Sequence, residues 1–424
     1  MKMRFVRAAF VACLLGSASI VATTVSLTPA LAKSSGPTVS PAVGKLLQPA
    51  QTAMQSGDYN GAMTLIKQAQ ALPDQTAFDT YTINNFLANA AIALKDYDTA
   101  DTAYEAMADS PALPDTDKPT ILHNATLLAG QAKHWDKTVK YGTTYLALPG
   151  VTQDPSIISA VAQGYYFTND FTNAATWADK AVTATPAGQA PNRGALEIKM
   201  GAEIKGKQAD AAMGTLETIL TYYDDPDDWS QLIDVSLGVK GIKDIEALHI
   251  YRLRLAAHAS GQPDGYTVPA DIALSPNLAF PVEALAFLDA GVAAGKVQRS
   301  DKRYTEASTR AAADRKTIGS FEQLAAKGSG ELELKLAETL YGYGRYADSA
   351  ASARRALQKG GPKNDPNEAN LVLGEALLMQ GDTAGAVAAF NALKNPTPGQ
   401  AKAAHVWLLF ANRKTAAPAP APAK

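Results

Sequence analysis

The chain has 424 residues, of which 46% are hydrophobic and 19% are charged, and its formal net charge is -2. This composition is that of a folded globular protein and argues against a largely disordered chain, while the small net charge gives no basis for nucleic-acid binding. The single cysteine, Cys13, lies close to the N-terminus. The rest of the chain therefore has no disulfide and no thiolate metal or catalytic site.

The first 32 residues have the pattern of a signal peptide. Three basic residues precede an apolar stretch over residues 8–27, and Ala30-Leu31-Ala32 fits the small-x-small cleavage pattern. We expect cleavage after Ala32 and a periplasmic mature protein. Two alternatives stay open: an uncleaved membrane anchor, because the apolar stretch is long, and lipidation of Cys13, which would leave residues 14–27 on the mature protein.

One turn recurs along the chain and predicts its architecture. It first reads Ser-Gly-Asp-Tyr at residues 56–59, and it returns around residues 97, 135, 171, 208, 346 and 383. The first five turns are 36–38 residues apart, and the last two are 37 residues apart. Apolar residues between turns recur at three- and four-residue steps, and prolines at 73, 111, 149 and 186 are helix stop signals. This period is typical of a solenoid built from helix pairs.

The repeated units resemble the tetratricopeptide repeat. That family places small residues where the two helices cross, aromatic residues near the turn, and a proline after the second helix. The unit that starts at Pro155 matches with Ala162, Tyr165, Phe171, Ala174, Ala181 and Pro186, and the unit that starts at Asn367 matches with Leu373, Gly374, Ala386 and Phe390. The resemblance implies an all-α fold, a right-handed α-solenoid of about ten helix pairs. The run 222–229, followed by 247–255, is similar to a group of exported proteobacterial proteins of this family.

We predict seven segments along the chain. They are a signal peptide over 1–32, a flexible lead-in over 33–42, an N-terminal repeat array over 43–225, divergent helical repeats over 226–329, C-terminal repeats over 330–398, a capping helix over 399–414 and a disordered Ala/Pro-rich tail over 415–424. The turn is lost in the divergent segment, where further units fit over 228–261, 269–295 and 301–327.

The sequence contains no recognisable motif of an enzyme or of a bound cofactor. It lacks the zinc-protease, nucleophile-elbow, phosphate-loop and dinucleotide fingerprints. Its five histidines have no mutual spacing typical of metal ligands. We therefore predict no catalytic residues, no metal and no cofactor.

Four aspartates, Asp224, Asp225, Asp227 and Asp228, form the sharpest cluster of charge. They could hold a calcium ion, but the glycine and closing glutamate of the usual calcium loop are missing. We favour the interpretation that Asp227 or Asp228 caps a helix that begins near Trp229.

His249, Arg252, Arg254 and His258 form a basic patch on one predicted helix. It could face an acidic partner or lipid headgroups, and a solvated helix face explains the pattern about as well.

The resemblance also implies a concave groove that binds a peptide or a protein, lined by four positions of each first helix. Carried over to this sequence, these positions are Asn85, Asn89, His123, Ser159, Gln163, Tyr166 and Glu203 in the N-terminal array, and Glu338, Tyr341 and Glu375 toward the C-terminus. Amide side chains both donate and accept hydrogen bonds, so they could pair with an extended peptide. The alternative is that these polar residues solvate an exposed surface.

The sequence thus predicts a non-enzymatic periplasmic scaffold whose partner is a peptide or a protein, with an envelope or TonB-linked complex as a candidate setting. Two other classes stay open. One is a cell-wall-active enzyme with paired carboxylates in a pocket between residues 226 and 330. The other is a structural oligomer of the envelope.

Overall fold

A computed structural model describes residues 37–186, 188–361 and 363–413 of the chain. The predicted signal peptide with Cys13, the first part of the lead-in and the Ala/Pro-rich tail lie outside these residues. The described part is made of twenty α-helices and contains no β-strand, as the all-α prediction requires. None of its helices is both long enough and apolar enough to cross a bilayer.

The chain forms two compact units, Met1–Thr215 and Leu216–Lys424. The boundary between them falls inside the tenth helix. The helices that begin in the N-terminal unit are α1 (Pro41–Gln55), α2 (Tyr59–Gln70), α3 (Ala77–Ala93), α4 (Tyr97–Ala108), α5 (Lys118–Gln131), α6 (Trp135–Leu146), α7 (Pro155–Phe167), α8 (Phe171–Thr183), α9 (Arg193–Lys205) and α10 (Ala209–Tyr222).

The repeated turn joins the two helices of each pair by the same backbone device. One residue adopts a positive φ, a region that favours glycine; it is a glycine at Gly57 and Gly381 but a lysine at Lys95 and Lys133. The next residue is the N-cap of the second helix, and where it is an aspartate its carboxylate accepts a backbone amide of the first turn. The capping hydrogen bonds run from a backbone amide to the aspartate: Gly61 to Asp58, Thr99 to Asp96, Asn173 to Asp170 and Gly385 to Asp382. The turn is therefore architectural.

Alanines at the predicted close crossings are fully buried. Ala62, Ala100, Ala174 and Ala386, each in the first turn of a second helix, have no exposed surface. The predicted stop signals also hold, because α2, α4, α6 and α8 end three residues before Pro73, Pro111, Pro149 and Pro186 respectively.

The helices of the N-terminal unit lie in two layers. First helices of successive pairs contact each other, α1 with α3, α5 with α7 and α7 with α9. The second helices α2, α4, α6 and α8 instead pack between the first helix of their own pair and that of the next pair. We call the layer of first helices α3, α5, α7 and α9 the inner layer.

The C-terminal unit contains the remaining ten helices. They are α11 (Pro226–Ser236), α12 (Asp244–Ala256), α13 (Asp264–Leu274), α14 (Pro281–Ala293), α15 (Lys302–Lys327), α16 (Gly330–Gly342), α17 (Tyr346–Lys359), α18 (Pro366–Met379), α19 (Thr383–Asn391) and α20 (Pro398–Asn412). The divergent segment thus supplies two short helix pairs, α11–α12 and α13–α14, and one helix of 26 residues, α15. Pro269 lies inside α13 rather than at the start of a unit.

Helix α12 is an interior helix of this unit. Every residue from Glu246 to Arg254 is buried, because the helix packs against α11, α13, α18 and α20. An ordinary amphipathic helix buries one stripe and exposes the other face. This burial overturns the interpretation of a solvated basic patch: His249, Arg252 and Arg254 are interior residues, and only His258 is exposed.

Helix α20 covers α18 and α19, as a cap must, and it also packs against α11 and α12. Its Trp407 is fully buried, and its N-cap Thr397 donates a hydrogen bond from Oγ1 to Glu246 Oε1 of α12 at 2.7 Å. Helix α12 is thereby fixed to a segment about 150 residues further along the chain.

The aspartate cluster caps a helix as predicted, but the capping residue is neither Asp227 nor Asp228. Helix α11 begins at Pro226, so the cap is Asp225, whose carboxylate accepts the Asp227 amide at 2.8 Å. Asp224 accepts the indole N–H of Trp229 at 2.7 Å. The proposed caps Asp227 and Asp228 lie in the first turn instead, where their charge is favourable near the helix N-terminus.

Candidate functional site

The predicted groove residues of the N-terminal unit lie on the inner layer and differ in accessibility. Four of them are half-buried and reach the surface: Asn89, His123, Gln163 and Tyr166. The other three are buried: Asn85, Ser159 and Glu203. Whether these residues contact a peptide stays a prediction.

The buried members are held by contacts within the unit. Asn89 donates from Nδ2 to the backbone oxygen of Asn85 at 2.8 Å and to its Oδ1 at 3.0 Å. Thr215 donates from Oγ1 to Glu203 Oε2 at 2.7 Å, and burial raises the pKa of Glu203. Asn85 and Glu203 are therefore part of the framework beneath the half-buried row.

His123 ties two first helices together. Its Nε2 lies 3.1 Å from Oδ2 of Asp154, the N-cap of α7, and its ring meets Tyr145 edge-on. The hydrogen bond to Asp154 raises the pKa of His123, although burial opposes the shift. The same bond lowers the pKa of Asp154. The pair is thus charged in the folded state at mildly acidic pH.

We expect the His123–Asp154 pair to make the stability of the N-terminal unit depend on pH. A histidine with a raised folded-state pKa stabilises fully below its unfolded pKa of about 6.5, and this contribution is lost as pH rises through the folded value. The Asp154 contribution is lost only as pH falls through its lowered pKa. The free energy of unfolding of the wild type should therefore be higher at pH 6 than at pH 9. This difference should exceed that of His123→Gln by about 0.5–1 kcal/mol. Urea unfolding of both proteins at the two pH values measures this; equal pH dependence in both would contradict it.

Partly exposed aromatic rings flank the inner row at the edge of α7. Trp135 stacks on Phe167 with ring centroids 4.5 Å apart, and Tyr166 meets Phe167 and Phe171 edge-on at 5.5 and 5.7 Å. Phe167 is 38% exposed. Aromatic residues that present apolar area at the surface are enriched in protein interfaces. Tyr166 connects this patch to the inner row.

The groove residues predicted toward the C-terminus do not lie on an accessible surface. Glu338, Tyr341 and Glu375 are buried, and they surround the basic residues of α12. We call this group of ionisable side chains the buried charged cluster; it consists of His249, Arg252, Glu283, Glu338, Glu368 and Glu375.

Arg252 holds the centre of the cluster. It donates from Nε and Nη2 to the two oxygens of Glu283 at 2.6 and 2.9 Å, and from Nη1 to Glu375 Oε2 at 3.0 Å. Its guanidinium also lies 4.4 Å from the centre of the Tyr341 ring. A bidentate pair of this kind is among the strongest ion pairs in proteins. Burial opposes the charge of Arg252, but Glu283 and its neighbours raise the pKa of Arg252 above its ordinary value.

His249 lies between two carboxylates. Its Nδ1 is 2.7 Å from Glu375 Oε1, and its Nε2 is 2.8 Å from Glu368 Oε2. Since a carboxylate only accepts, Nδ1 donates to Glu375 and Nε2 donates to Glu368, so the ring carries both protons. Burial acts to lower the pKa of His249, yet the carboxylates of Glu375 and Glu338 raise it well above the ordinary value.

Glu338 is the least satisfied member of the cluster. It is 4% exposed, and neither of its carboxylate oxygens has a hydrogen-bond partner. Arg252 Nη2 lies 2.7 Å from Glu338 Oε2, but the two groups are not aligned for a hydrogen bond, so the contact is an ion pair only. Burial raises the pKa of Glu338.

The sequence contains no local pattern for this cluster, because its members are spread from residue 249 to residue 375. It also left open a catalytic carboxylate pair between residues 226 and 330. Of the cluster's four glutamates, only Glu283 comes from that range, and its two oxygens are both bonded to Arg252. The arrangement therefore holds helices together and presents no carboxylate pair to a substrate.

Comparison with known proteins gives one family match. A family model described as tetratricopeptide repeat matches residues 334–401, which cover most of α16 and all of α17, α18 and α19. Residues 334–401 are tetratricopeptide repeats. The recurrence of the same turn, caps and buried alanines in the N-terminal unit extends the helix-pair architecture to that unit. None of the curated proteins matches the chain at a significant level.

Solved structures of tetratricopeptide repeat proteins are among the similar folds. A protein of this class from Parabacteroides merdae is 14% identical, with a TM-score of 0.30, covering 80% of this chain and 99% of that one. The complex of Naa15 and Naa10 bound to HypK-THB is 15% identical with a TM-score of 0.34, covering 82% of this chain and 57% of that one. The P58(IPK) TPR domain is 16% identical with a TM-score of 0.22, covering 88% of this chain and 100% of that one. The TM-scores are low, so the fold assignment rests on the helix pairs and the family match.

Proposed function

We propose that this chain is an exported, periplasmic scaffold that binds a peptide or a protein segment along the inner layer of its N-terminal unit. Tetratricopeptide repeats offer an extended surface for protein–protein interaction. The observation that carries the proposal is the half-buried row on successive first helices, Asn89, His123, Gln163 and Tyr166. Export rests on the signal-peptide pattern of residues 1–32.

The row has the chemistry of a peptide site. Gln163 offers an amide, which can pair with both a donor and an acceptor of a peptide backbone, whereas Asn89 Nδ2 already donates to Asn85 and holds the row in place. The neighbouring aromatic patch, with Phe167 38% exposed, offers apolar area for a side chain of the partner. Polar positions along a row combined with one aromatic anchor are what a linear peptide needs for register and affinity.

Photo-crosslinking in intact cells tests the surface directly. A photo-reactive phenylalanine derivative is placed at Asn89 or Gln163 on the inner layer, and at Thr176 on α8 as the matched control. Thr176 is exposed and bonds only to the backbone of its own helix. We expect the same partner to be captured from positions 89 and 163 and not from 176. Capture of that partner from position 176 with equal yield would contradict the proposal.

The captured partner then allows a measurement of affinity. Gln163→Arg should weaken its binding at least about tenfold, which is ~1.4 kcal/mol, whereas Thr176→Arg should leave it unchanged. A mature protein that begins at Lys33 in the periplasmic fraction would support export. A full-length protein in the membrane fraction would instead favour the uncleaved anchor.

A further inference from the structure

Three ligand-bearing side chains of the buried charged cluster converge on one point. His249 from α12, Glu338 from α16 and Glu368 from α18 each direct one nitrogen or oxygen atom to it, and these atoms lie within 4.8 Å of one another. All three residues are buried. They come from three different helices of the C-terminal unit, so a ligand bound by all three would link these helices.

We propose that His249, Glu338 and Glu368 bind a divalent transition-metal ion, of which Zn²⁺ is the probe, and that this ion fixes α12 to α16 and α18. His249 Nε2 lies 3.7 Å from Glu338 Oε1, close to the roughly 3.3–3.6 Å that separates two ligands of a tetrahedral Zn²⁺ with bonds of about 2.0–2.2 Å. Glu368 Oε2 lies 2.8 Å from Nε2, which is a hydrogen-bond distance, so it would move outward by about 0.5–0.8 Å when the ion replaces the proton between them. One imidazole with two carboxylates is a ligand set for Zn²⁺ or a related ion rather than for Ca²⁺ or Mg²⁺.

The surroundings of His249 match those of a metal-bound histidine. Such a histidine usually donates its second ring N–H to a carboxylate, which fixes the tautomer and the ring orientation. Here Nδ1 donates to Glu375 Oε1 at 2.7 Å, and Glu375 is held in turn by Arg252. Nε2 is thereby directed toward Glu338 and Glu368. Glu368 is oriented as well, because Gln400 donates from Nε2 to its Oε1 at 2.9 Å.

The orphaned carboxylate of Glu338 is an independent indication of a ligand. A buried carboxylate without hydrogen bonds is costly, since it has lost its hydration. Its Oε2 lies 2.7 Å from Arg252 Nη2, while its Oε1 lies 3.7 Å from His249 Nε2, beyond hydrogen-bond distance. A metal ion between them would give Oε1 the partner that it lacks.

The excess of acidic over basic residues in the cluster also favours a divalent cation. The cluster contains four glutamates, one arginine and one histidine. The arginine is its only permanently charged cation. A proton on His249 adds one positive charge, whereas a divalent ion in its place adds two. Because the site is buried, the ion would enter as the unit folds, as at structural metal sites.

Metal content and thermal unfolding of the wild type form the primary test. The untagged full chain is stripped with EDTA, incubated with Zn²⁺, desalted and analysed by mass spectrometry for metal. We expect one zinc per chain and a rise of about 5 °C or more in the unfolding midpoint. Failure to retain zinc, or retention without a change in the midpoint, would overturn the proposal.

Two variants on the same helix locate the ion. Glu338→Gln removes the orphaned carboxylate with little change of shape and should weaken Zn²⁺ binding at least about 100-fold, since even outer partners of a ligand are worth 10–100-fold. Glu333→Gln is the control: Glu333 is a fully buried carboxylate on α16 that is paired with Arg355 and Lys359. It should keep one zinc. Equal retention by both variants would overturn the assignment to Glu338.

Co²⁺ provides a readout that does not depend on a folded variant. Wild-type protein loaded with Co²⁺ should develop the visible absorption of a protein-bound ion, and an equimolar amount of Zn²⁺ should displace it. A spectrum identical to that of the free ion would contradict the proposal, whatever the variants do. The test is independent of partner binding by the N-terminal unit, so the two proposals can fail separately.

Discussion

Replacement of Arg252 by methionine should destabilise the C-terminal unit by about 3–5 kcal/mol, the cost of removing one partner from a buried ion pair. The arginine is 1% exposed and compensates Glu283 and Glu375 through hydrogen bonds and Glu338 through its charge. Methionine fills the volume but leaves these carboxylates without a counter-charge. A urea titration followed by pulse proteolysis, which cuts only the unfolded unit, measures the loss.

The matched control is an arginine whose ion pairs lie at the surface. Arg303 pairs with Asp271 and Asp301, and its side chain is 31% exposed. Arg303→Met should therefore cost less than about 1 kcal/mol. Combining Arg252→Met with Glu283→Gln should recover part of the loss, because it removes one of the stranded charges. Similar stabilities for Arg252→Met and Arg303→Met would show that the cluster does not hold the unit together.

Trp407→Ala should be nearly as damaging, with an expected loss of about 3–5 kcal/mol. Trp407 has no exposed surface, stacks on Phe390 and meets Phe410 edge-on. Its indole N–H donates to the backbone oxygen of His249 at 2.8 Å. The substitution thus opens a cavity between α20 and α12 and removes the hydrogen bond that the His249 carbonyl accepts in addition to its helical one. The urea titration described for Arg252 measures it.

Trp407→Phe separates the contribution of packing from that of the indole hydrogen bond. The ring stays and most of the cavity is filled, so only the hydrogen bond and a small volume are lost, about 1–2 kcal/mol. A phenylalanine variant as unstable as the alanine variant would contradict this reasoning, because packing would then contribute nothing.

The repeat part of the fold could be predicted because its determinants are local. A glycine, asparagine or lysine at the positive-φ position, an aspartate after it and a small residue four positions later recur within about seven residues. These signals recur from unit to unit, so the pattern predicts helices α1 to α10 and α16 to α19. Proline, which cannot continue a helix, marked the ends of second helices such as α2 and α4.

The buried charged cluster could not be predicted from the sequence because its stabilising contacts are remote. His249, Arg252 and Arg254 read as a surface patch, since an arginine is rarely buried without a partner. Their partners lie up to 126 residues away in the sequence, as with His249 and Glu375. Two of the cluster's glutamates, Glu338 and Glu375, were themselves assigned to a groove by the resemblance to other repeats. Only the packing of α12 against α18 and α20 brings the two sets together.

Hydrogen exchange read by mass spectrometry tests the central claim, that α12 is an interior helix of the C-terminal unit held in place by the buried charged cluster. Amides of α12 (Asp244–Ala256) should exchange more slowly than those of α15 (Lys302–Lys327), whose buried residues are Ala307, Ala311 and Ala325. Arg252→Met should accelerate exchange in α12 by about 100-fold or more, as a loss of 3 kcal/mol requires. Exchange in α12 as fast as in α15 in the wild type would contradict the claim.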